Sequence, residues 1–347
     1  MSDAPSNLRV TLRDIAKRVN VSHVTVSLAL RDHPRISKSV RDLIKATAKE
    51  MGYRPDPMLA ALAHYRQSRV ETSVRAAIAW INCWQKPKLL RTYKEFDAYW
   101  RGASQAAEKF GYHLEEFVVN DKMPVHRLEK VLVARGVRGV LLPPIQGSLP
   151  PHWDDINWNH FSVVRFSRGV SSPNAHLVAS DQASNMVLAF NKIRTLGYQR
   201  IGFVGTQTIA RMFAGGFFVA QSAIPESQRV PALQIQNNNL TELERQLAPW
   251  VKKHKPDAII TDYADLRQRL ERIGYKVPSD IGLAGTSILD VDAEAGIDQN
   301  PEEIGRVSVL VAISLINDNH RGIPDIFRQV LISGRWVDGK SMPNRNG

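Results

Sequence analysis

The sequence contains a single cysteine, Cys83, among its 347 residues. One thiol excludes intrachain disulfides and leaves a thiolate zinc site short of ligands, so we expect neither a metal nor another cofactor. No run of 18 or more apolar residues is present, which argues against a membrane-spanning helix. Residues 1–7 are polar and lack the apolar core of a secretory signal. We therefore expect a cytoplasmic protein with no membrane partner.

Signatures of catalysis are also missing. The sequence contains no Gly-x-Ser-x-Gly elbow, no Gly-x-x-x-x-Gly-Lys-Ser/Thr phosphate loop and no His-Glu-x-x-His metal motif. Its 10 histidines lack metal-ligand spacing, and no pair of acidic residues stands in the setting of a glycosidase. We therefore expect a protein that is not an enzyme.

Positive charge is concentrated near the N-terminus. The whole chain has a net charge of +12, and residues 1–70 hold 13 Lys and Arg against 6 Asp and Glu, which is a net +7. Such a basic block is the electrostatic footprint of a protein that binds a polyanion. The alternative is a solvated basic surface, and charge alone does not separate the two.

Residues 11–30 have the pattern of two helices joined by a short turn. Thr11-Leu-Arg-Asp14 is typical of a capping box in which Asp takes the place of the usual Glu. Asn20 would end the first helix, and Ser22 would cap the second almost immediately afterwards. This spacing is the signature of a helix-turn-helix.

The second helix carries apolar residues on two sides. A rotation of about 100° per residue places Val26, Ala29 and Leu30 on one face, which predicts that they pack in the core. Val24 and Leu28 fall on the opposite face. They are either ordinary surface residues or contacts for thymine methyl groups in the major groove. The helix-turn-helix pattern favours the second interpretation.

Two further helical segments follow. Ser37 is placed to cap a helix over residues 38–51. Asp56 and Pro57 then supply the start of a short helix over residues 58–63. Because helix nucleation is costly, so short a segment needs a partner surface before it becomes helical.

The segment from Val10 to Ser27 resembles the headpiece of LacI/GalR (lactose-repressor/galactose-repressor) regulators, and Gly52-Tyr-Arg-Pro-Asp56 is similar to the junction before their hinge helix. The resemblance implies a homodimer on double-stranded operator DNA, with recognition helices in the major groove and paired hinge helices in the minor groove. It implies that Leu62 wedges into the central base step. The predicted DNA-binding residues are Thr11, Ser22, His23, Val24, Thr25, Ser27, Leu28, Arg31, Ser37, Tyr53 and Leu62.

The remaining sequence alternates strand-like and helical patterns. The predicted strands cover residues 76–81, 113–119, 139–142, 161–166 and 200–204, and the predicted helices cover 99–110, 125–134 and 184–196. This alternation predicts parallel sheets with helices on both faces, and the length fits two such lobes. The expected fold is an all-α helix-turn-helix headpiece followed by an α/β core of two doubly wound parallel-sheet lobes, as in periplasmic binding proteins. The predicted domains are 8–54 for DNA binding, 55–72 for hinge and linker, and 73–340 for the effector-binding and dimerisation core.

A cleft between two lobes is the default ligand site. The resemblance continues through residues 195–205, 280–285 and 296–299, and implies a core that closes around an effector. The candidate effector-binding residues are Trp84, Tyr99, Asp181, Arg211, Phe213 and Asp262.

Each of these candidates has an alternative. The aromatic residues suit core packing or a dimer contact as well as a sugar or nucleobase site. Asp181 suits a helix N-cap. Phe213 stands where family members often carry arginine, and Asp265 competes with Asp262 for the role of the effector-binding aspartate.

The sequence therefore predicts a DNA-binding regulator, a repressor whose operator affinity is controlled by a small sugar-like effector. Three alternatives remain. A constitutive regulator would have lost effector sensing, which the altered pocket positions allow. A free sugar-binding protein would lack the headpiece, and an enzyme would need a catalytic motif.

Overall fold

The computed structural model describes residues 10–30, 36–53, 76–145, 147–166, 169, 172–208, 210–236 and 239–346. The chain divides into two compact units, Met1–Arg75 with Ser314–Arg321, and Ala76–Ile313 with Gly322–Gly347. The predicted hinge over residues 55–72, with Leu62, lies outside the described residues, as does Arg31.

The described residues up to Tyr53 form the helices α1 (Leu12–Arg18), α2 (His23–Leu30) and α3 (Lys38–Glu50). The predicted capping box at the start of α1 is present. The amide of Asp14 donates to Thr11 Oγ1 at 3.4 Å, and the amide of Thr11 donates to Asp14 Oδ2 at 2.9 Å. Val26, from α2, and Ile44, from α3, have no exposed surface and form the centre of the core of this unit.

The second unit contains the strands described here and the helices that follow them, apart from the last turn of α10. The strands are β1 (Ala76–Asn82), β2 (Tyr112–Val118), β3 (Gly139–Leu142), β4 (Ser162–Arg165), β5 (His176–Ser180), β6 (Ile201–Thr206), β7 (Leu233–Ile235), β8 (Ala258–Thr261), β9 (Gly282–Gly285), β10 (Ala295–Asp298), β11 (Gln329–Ile332) and β12 (Arg335–Val337). The helices are α4 (Lys94–Lys109), α5 (Val125–Ala134), α6 (Gln182–Thr195), α7 (Arg211–Ser222), α8 (Leu240–His254), α9 (Leu266–Arg272) and α10 (Pro301–Asn317). A 3₁₀ turn, Pro87–Thr92, precedes α4.

The strands form two six-stranded sheets, one in each lobe. The first lobe has the order β11-β5-β4-β3-β1-β2, and the second has the order β12-β10-β9-β8-β6-β7. The β10–β12 pair is antiparallel, and the other ladders between these strands are parallel. Strands such as β3, β4 and β8 are buried along their whole length, as expected for parallel sheets covered on both faces.

The chain crosses between the lobes three times, after β5, after β10 and after β11. Asn185 ties two of these crossings together, because its Nδ2 donates to Ser180 Oγ at 2.9 Å and its Oδ1 accepts from the amide of Gly334 at 2.7 Å. Asn300 Nδ2 donates to the carbonyl of Ser333 at 2.8 Å. This bond joins the crossing after β10 to the crossing after β11. The three connections are thus held by side-chain amides.

Helices α4 and α10 approach closely in the first lobe. A side chain at Gly102 would collide with the carbonyl of Glu302, and one at Gly305 would collide with the carbonyl of Tyr99. The two glycines therefore set how closely the two helices pack. This packing fixes the position of α4, whose N-terminus faces the second lobe.

Within the described ranges, no helix is both long and apolar enough to cross a bilayer. Among the same residues, no group of three or more His, Cys, Asp and Glu side chains could hold a metal ion.

Candidate DNA interface and effector site

The second helix of the headpiece, α2, has one buried face and one exposed face. Val26 and Ala29 are buried and Leu30 packs against the same core, as the helical rotation predicts. On the other side His23 is exposed, Val24 is 53% exposed and Leu28 is half-buried. An apolar side chain so open to solvent is available for contact with a groove.

Several of the predicted DNA-binding residues cap helices. Ser22 Oγ accepts from the amide of Thr25 at 3.0 Å, and its hydroxyl lies 2.8 Å from Thr25 Oγ1. Ser37 Oγ accepts from the amide of Val40 at 3.5 Å. These hydroxyls lie at helix N-termini, where free backbone amides favour anions. Their contact with DNA stays a prediction.

The last two described candidates of the headpiece are less exposed. Ser27 is half-buried on α2, and Tyr53 packs against the headpiece core just after α3. Tyr53 therefore has a packing role, and its contact with DNA stays a prediction.

Aromatic residues of the first lobe border a cavity that reaches the second lobe. The cavity has a volume of about 300 Å³ and is lined by Trp84, Leu89, Thr92, Tyr93 and Asp290. We call it the interlobe cavity, because Asp290 follows β9 in the second lobe and the other four residues precede α4 in the first. The Trp84 and Tyr93 rings meet edge to face with centroids 5.6 Å apart, and Tyr93 is 41% exposed.

The deeper aromatic residues pack in the core of the first lobe. Trp84 is buried, and its indole N–H donates to the carbonyl of Pro144 at 2.8 Å. Tyr99 is also buried, between Phe96 at 5.8 Å and Phe166 at 5.5 Å between centroids. Core packing therefore accounts for Tyr99, whereas Trp84 belongs both to the core and to the cavity wall.

Asp290 caps helix α4 from the opposite lobe. Its Oδ1 accepts from the amide of Lys94 at 2.8 Å and its Oδ2 accepts from the amide of Glu95 at 3.2 Å. The residue at the N-cap position of α4, Tyr93, makes no side-chain capping bond of its own. The first turn of α4 therefore depends on the second lobe for its amide partners.

Glu95 is a buried acid beside this cap. It is about nine-tenths buried, and its Oε1 has no hydrogen-bond partner among the described residues. Burial raises the pKa of Glu95 to about 8; a hydrogen bond with Ser287 opposes the shift, and repulsion from Asp290 and Asp298 adds to it. The neutral carboxylic acid is thus the dominant form at pH 7.

The remaining effector candidates belong to the second lobe. Asp181 is the N-cap of α6 and its Oδ1 accepts from the amide of Ser184 at 3.2 Å, so the N-cap interpretation is correct. Arg211 is exposed at the start of α7. Phe213, two residues further along α7, is 3% exposed and packs in the core of the second lobe. Effector contact by these residues stays a prediction.

The structure distinguishes the two competing aspartates. Asp262 directly follows β8 and accepts from the amide of Thr206 at 3.0 Å and from its hydroxyl at 2.5 Å, and burial raises the pKa of its carboxyl. Asp265 is paired with Arg269, with an N–O distance of 2.7 Å, and this partner lowers its pKa. Of the two, Asp262 lies at the carboxyl edge of the sheet, where ligands of open α/β sheets bind.

Sequence reasoning missed Glu95 and Asp290. Neither residue belongs to a motif, and their interaction joins positions 195 apart in the chain. The one available signal was the row of aromatic residues between Trp84 and Trp100, which marks the region but not its acidic partners.

Substitution of Glu95 by Gln should flatten the pH dependence of stability. The folded chain keeps the Glu95 proton up to about pH 8, whereas the unfolded chain loses it near the ordinary value of 4.5. Glu95 therefore contributes stability below about pH 4.5 that is lost as the pH rises to 8, at up to about 1.4 kcal/mol per pH unit. The free energy of unfolding, measured with urea from pH 5 to pH 8, should fall less steeply in the variant.

Glu108→Gln is the matched control for this experiment, because Glu108 is exposed on the same helix. Its curve should run parallel to that of the parent chain. Parallel curves for Glu95→Gln as well would show that Glu95 is ionised in the folded protein.

Comparisons with known proteins agree with this geometry. The family model of bacterial regulatory proteins of the lacI family matches residues 11–56, and the model of the periplasmic binding protein-like domain matches residues 190–342. The chain combines these two domains. It is a DNA-binding transcriptional regulator with a headpiece of the lacI family and a domain like that of periplasmic binding proteins, and the predicted fold class is confirmed.

Relatives of the regulator match over most of its length. The NTD biosynthesis operon regulator NtdR of Bacillus subtilis (strain 168) is 24% identical over 334 residues, which cover 89% of this chain and 93% of the relative. The complex of the transcriptional regulator CelR with cellobiose has a TM-score of 0.59 and 18% identity, over 96% of this chain and 100% of the other. The lac repressor dimer bound to operator and the anti-inducer ONPF has a TM-score of 0.54 and 16% identity, over 97% and 100%. At identities this low, the likeness to these solved structures establishes a shared fold and nothing further.

Proposed function

We propose that this regulator is a repressor that binds operator DNA as a homodimer, and that a small polar effector, a sugar or a related metabolite, controls its operator affinity. The observation that carries the proposal is the capping of α4 by Asp290, because it couples the two lobes beside a cavity. We assign residues 8–54 to DNA reading, 55–72 to the hinge and 73–340 to effector binding and dimerisation.

Operator reading rests on the exposed face of α2. Val24 and Leu28 have no hydrogen-bonding groups in their side chains, so they suit thymine methyl groups, whereas His23 suits a base edge. The hydroxyls at the helix N-termini suit phosphate, which orients a protein on the duplex but carries no sequence information. The lac repressor structure, a dimer on its operator, supports the assignment by analogy.

Effector control rests on the arrangement of the lobes. A ligand shifts a conformational equilibrium only by its differential affinity for the two states. A molecule in the interlobe cavity would contact Trp84 and Tyr93 on one side and Asp290 on the other. It would therefore favour the closed arrangement. The CelR complex, which contains cellobiose, supports a small-molecule ligand by analogy.

A constitutive regulator is the second candidate. The observation that favours it is that two of the predicted effector-binding side chains already have partners within the protein. Asp262 accepts a hydrogen bond from Thr206, and Phe213 is buried in the core. In this case the core would serve as a dimerisation scaffold with a fixed lobe angle.

A two-part experiment separates the candidates. The melting temperature of the full chain is first measured against a broad library of sugars, sugar acids, nucleobases and small amines, because binding to the folded state raises it. Each hit is then added to a complex of the regulator with an operator selected from random DNA. A hit that changes operator affinity supports effector control, and silence across the library supports the constitutive candidate.

Substitution of Leu28 by Arg should change the preferred operator sequence. A guanidinium donates two hydrogen bonds to O6 and N7 of guanine, so the base at this contact should move toward guanine, with a preference of about 5–150-fold. Selection from randomised operators by the parent chain and by the variant measures the change.

Leu43→Arg provides the matched control, since Leu43 is 56% exposed on α3 and receives the same added charge. It should strengthen binding to all sequences without changing the consensus. An unchanged consensus for Leu28→Arg would assign Leu28 to the ordinary surface.

A further inference from the structure

The interlobe cavity combines aromatic walls with negative charge. Trp84 and Tyr93 form one wall, and the Asp290 carboxylate forms the other. Asp290 and Asp298 each raise the pKa of Glu95 by repulsion, so both lie within electrostatic reach of it. Asp298 is paired with Arg335 at 2.8 Å, whereas Asp290 lines the cavity. Aromatic faces beside carboxylates are the surroundings in which proteins bind organic cations.

We propose that the effector of this regulator carries a primary ammonium group, held in the interlobe cavity by the Asp290 carboxylate and the rings of Trp84 and Tyr93. The inference rests on the proposed function, because it names the chemical class of the effector that the function requires.

The first reason is the charge that the site has to offset. Asp290 accepts two backbone amides of α4, which stabilise its negative charge but bring no full positive charge. The nearby Arg91 is paired with Asp97 at 2.8 Å and lies over the ring of Trp100 at 4.9 Å. A ligand cation would supply the countercharge, whereas a phosphate or a carboxylate would be repelled.

The second reason is the number of acceptors. Two acceptors line the cavity, the Asp290 carboxylate and the hydroxyl of Thr92, whose own proton is donated to the carbonyl of Leu89 at 2.8 Å. A primary ammonium has three N–H donors, enough for both acceptors at once. A quaternary ammonium would use the rings alone, so these acceptors select the primary amine.

The third reason is the position of the rings. Trp84 is buried at the back and Tyr93 is 41% exposed at the opening, with 5.6 Å between their centroids. A cation within about 6 Å of such a ring is attracted to its face. The remaining lining residues, Leu89 and Thr92, suit the short carbon chain next to the amine.

The test compares pairs of compounds that differ only in an ammonium or a hydroxyl group. Isothermal titration of the full chain at pH 7 uses 1-amino-1-deoxysorbitol with sorbitol, glucosamine with glucose, and 4-aminobutanol with 1,4-butanediol. In at least one pair the amine should bind about tenfold or more tightly than its hydroxyl partner, the scale of a charge-assisted hydrogen bond.

Asp290→Asn should abolish this preference. The Asn carbonyl keeps an acceptor for one of the two α4 amides and removes the charge. Because each amine is compared with its hydroxyl partner in the same variant, the weaker helix cap affects both compounds alike, and loss of the preference reports the ammonium. Asp292→Asn is the control, because Asp292 lies in the same loop, faces Arg267 at 3.8 Å and does not line the cavity. It should keep the preference.

Two results would overturn the inference. One is that, in all three pairs, the hydroxyl compound binds as tightly as the amine or neither compound binds. The other is a preference that survives in Asp290→Asn. Neither result touches effector control itself, which the broad library and the operator-affinity measurement decide separately.

Discussion

Raising the salt concentration from 50 to 200 mM is expected to weaken operator binding by this regulator by about 10³–10⁵-fold. The reason is the +7 charge of residues 1–70, which is more than half of the net charge of the chain. Each phosphate that a Lys or Arg neutralises releases counterions, so about 6–10 contacts would give a slope of about −5 to −9 in a plot of log K against log salt. Fluorescence anisotropy on operator DNA over this salt range measures the slope.

Lys45→Gln and Glu108→Gln form a matched pair for this measurement. Lys45 is exposed on α3 in the headpiece, and loss of one phosphate contact should reduce the slope by about 1. Glu108, exposed on α4 in the core, should leave the slope unchanged. A parental slope shallower than about −2 would mean that the basic block is a solvated surface.

Leu62→Ala is expected to weaken operator binding by about 1–3 kcal/mol, which is about 5–150-fold. Leu62 lies outside the described residues, so the prediction rests on the sequence. Asp56 and Pro57 supply a helix start, and Ala60 and Ala61 are small enough for two such helices to approach closely. Paired leucines would then wedge into a base step, and the unstacking cost of a few kcal/mol would be offset by minor-groove contacts.

DNA bending distinguishes this wedge from linker packing. The variant should bend operator DNA less, as measured by energy transfer between dyes at the ends of the duplex, and its dimerisation and non-specific binding should be unchanged. Leu59→Ala makes the same substitution in the same segment and should bend DNA like the parent. Full bending by Leu62→Ala would assign Leu62 to packing.

Local patterns predicted the parts of the structure that depend on local interactions. The capping box at Thr11, the burial of Val26 and Ala29, and the order of strands and helices through β4 follow from neighbouring residues. Short-range capping and periodic burial determine such elements, so the sequence carries the information directly.

The start of α4 shows what local patterns miss. The predicted helix began at Tyr99, whereas α4 begins at Lys94, because the amides of its first turn are satisfied by Asp290 from the other lobe. Phe213 shows a second limit: its family counterpart is often a polar contact, yet here it packs in the core. Partners about 200 residues away leave no periodic signal.

The three crossings have a consequence for the order in which the chain folds during synthesis. Strand β11 lies at one edge of the first sheet beside β5, and the amide of Arg328 donates to His176, 152 positions earlier. The first sheet is therefore incomplete until residue 332 has left the ribosome, although most of its strands emerge before residue 181. The headpiece, in contrast, closes on contacts within its first 53 residues. A DNA-reading unit thus folds long before the lobes that control it, and the nascent core exposes an unpaired strand edge for chaperones to protect.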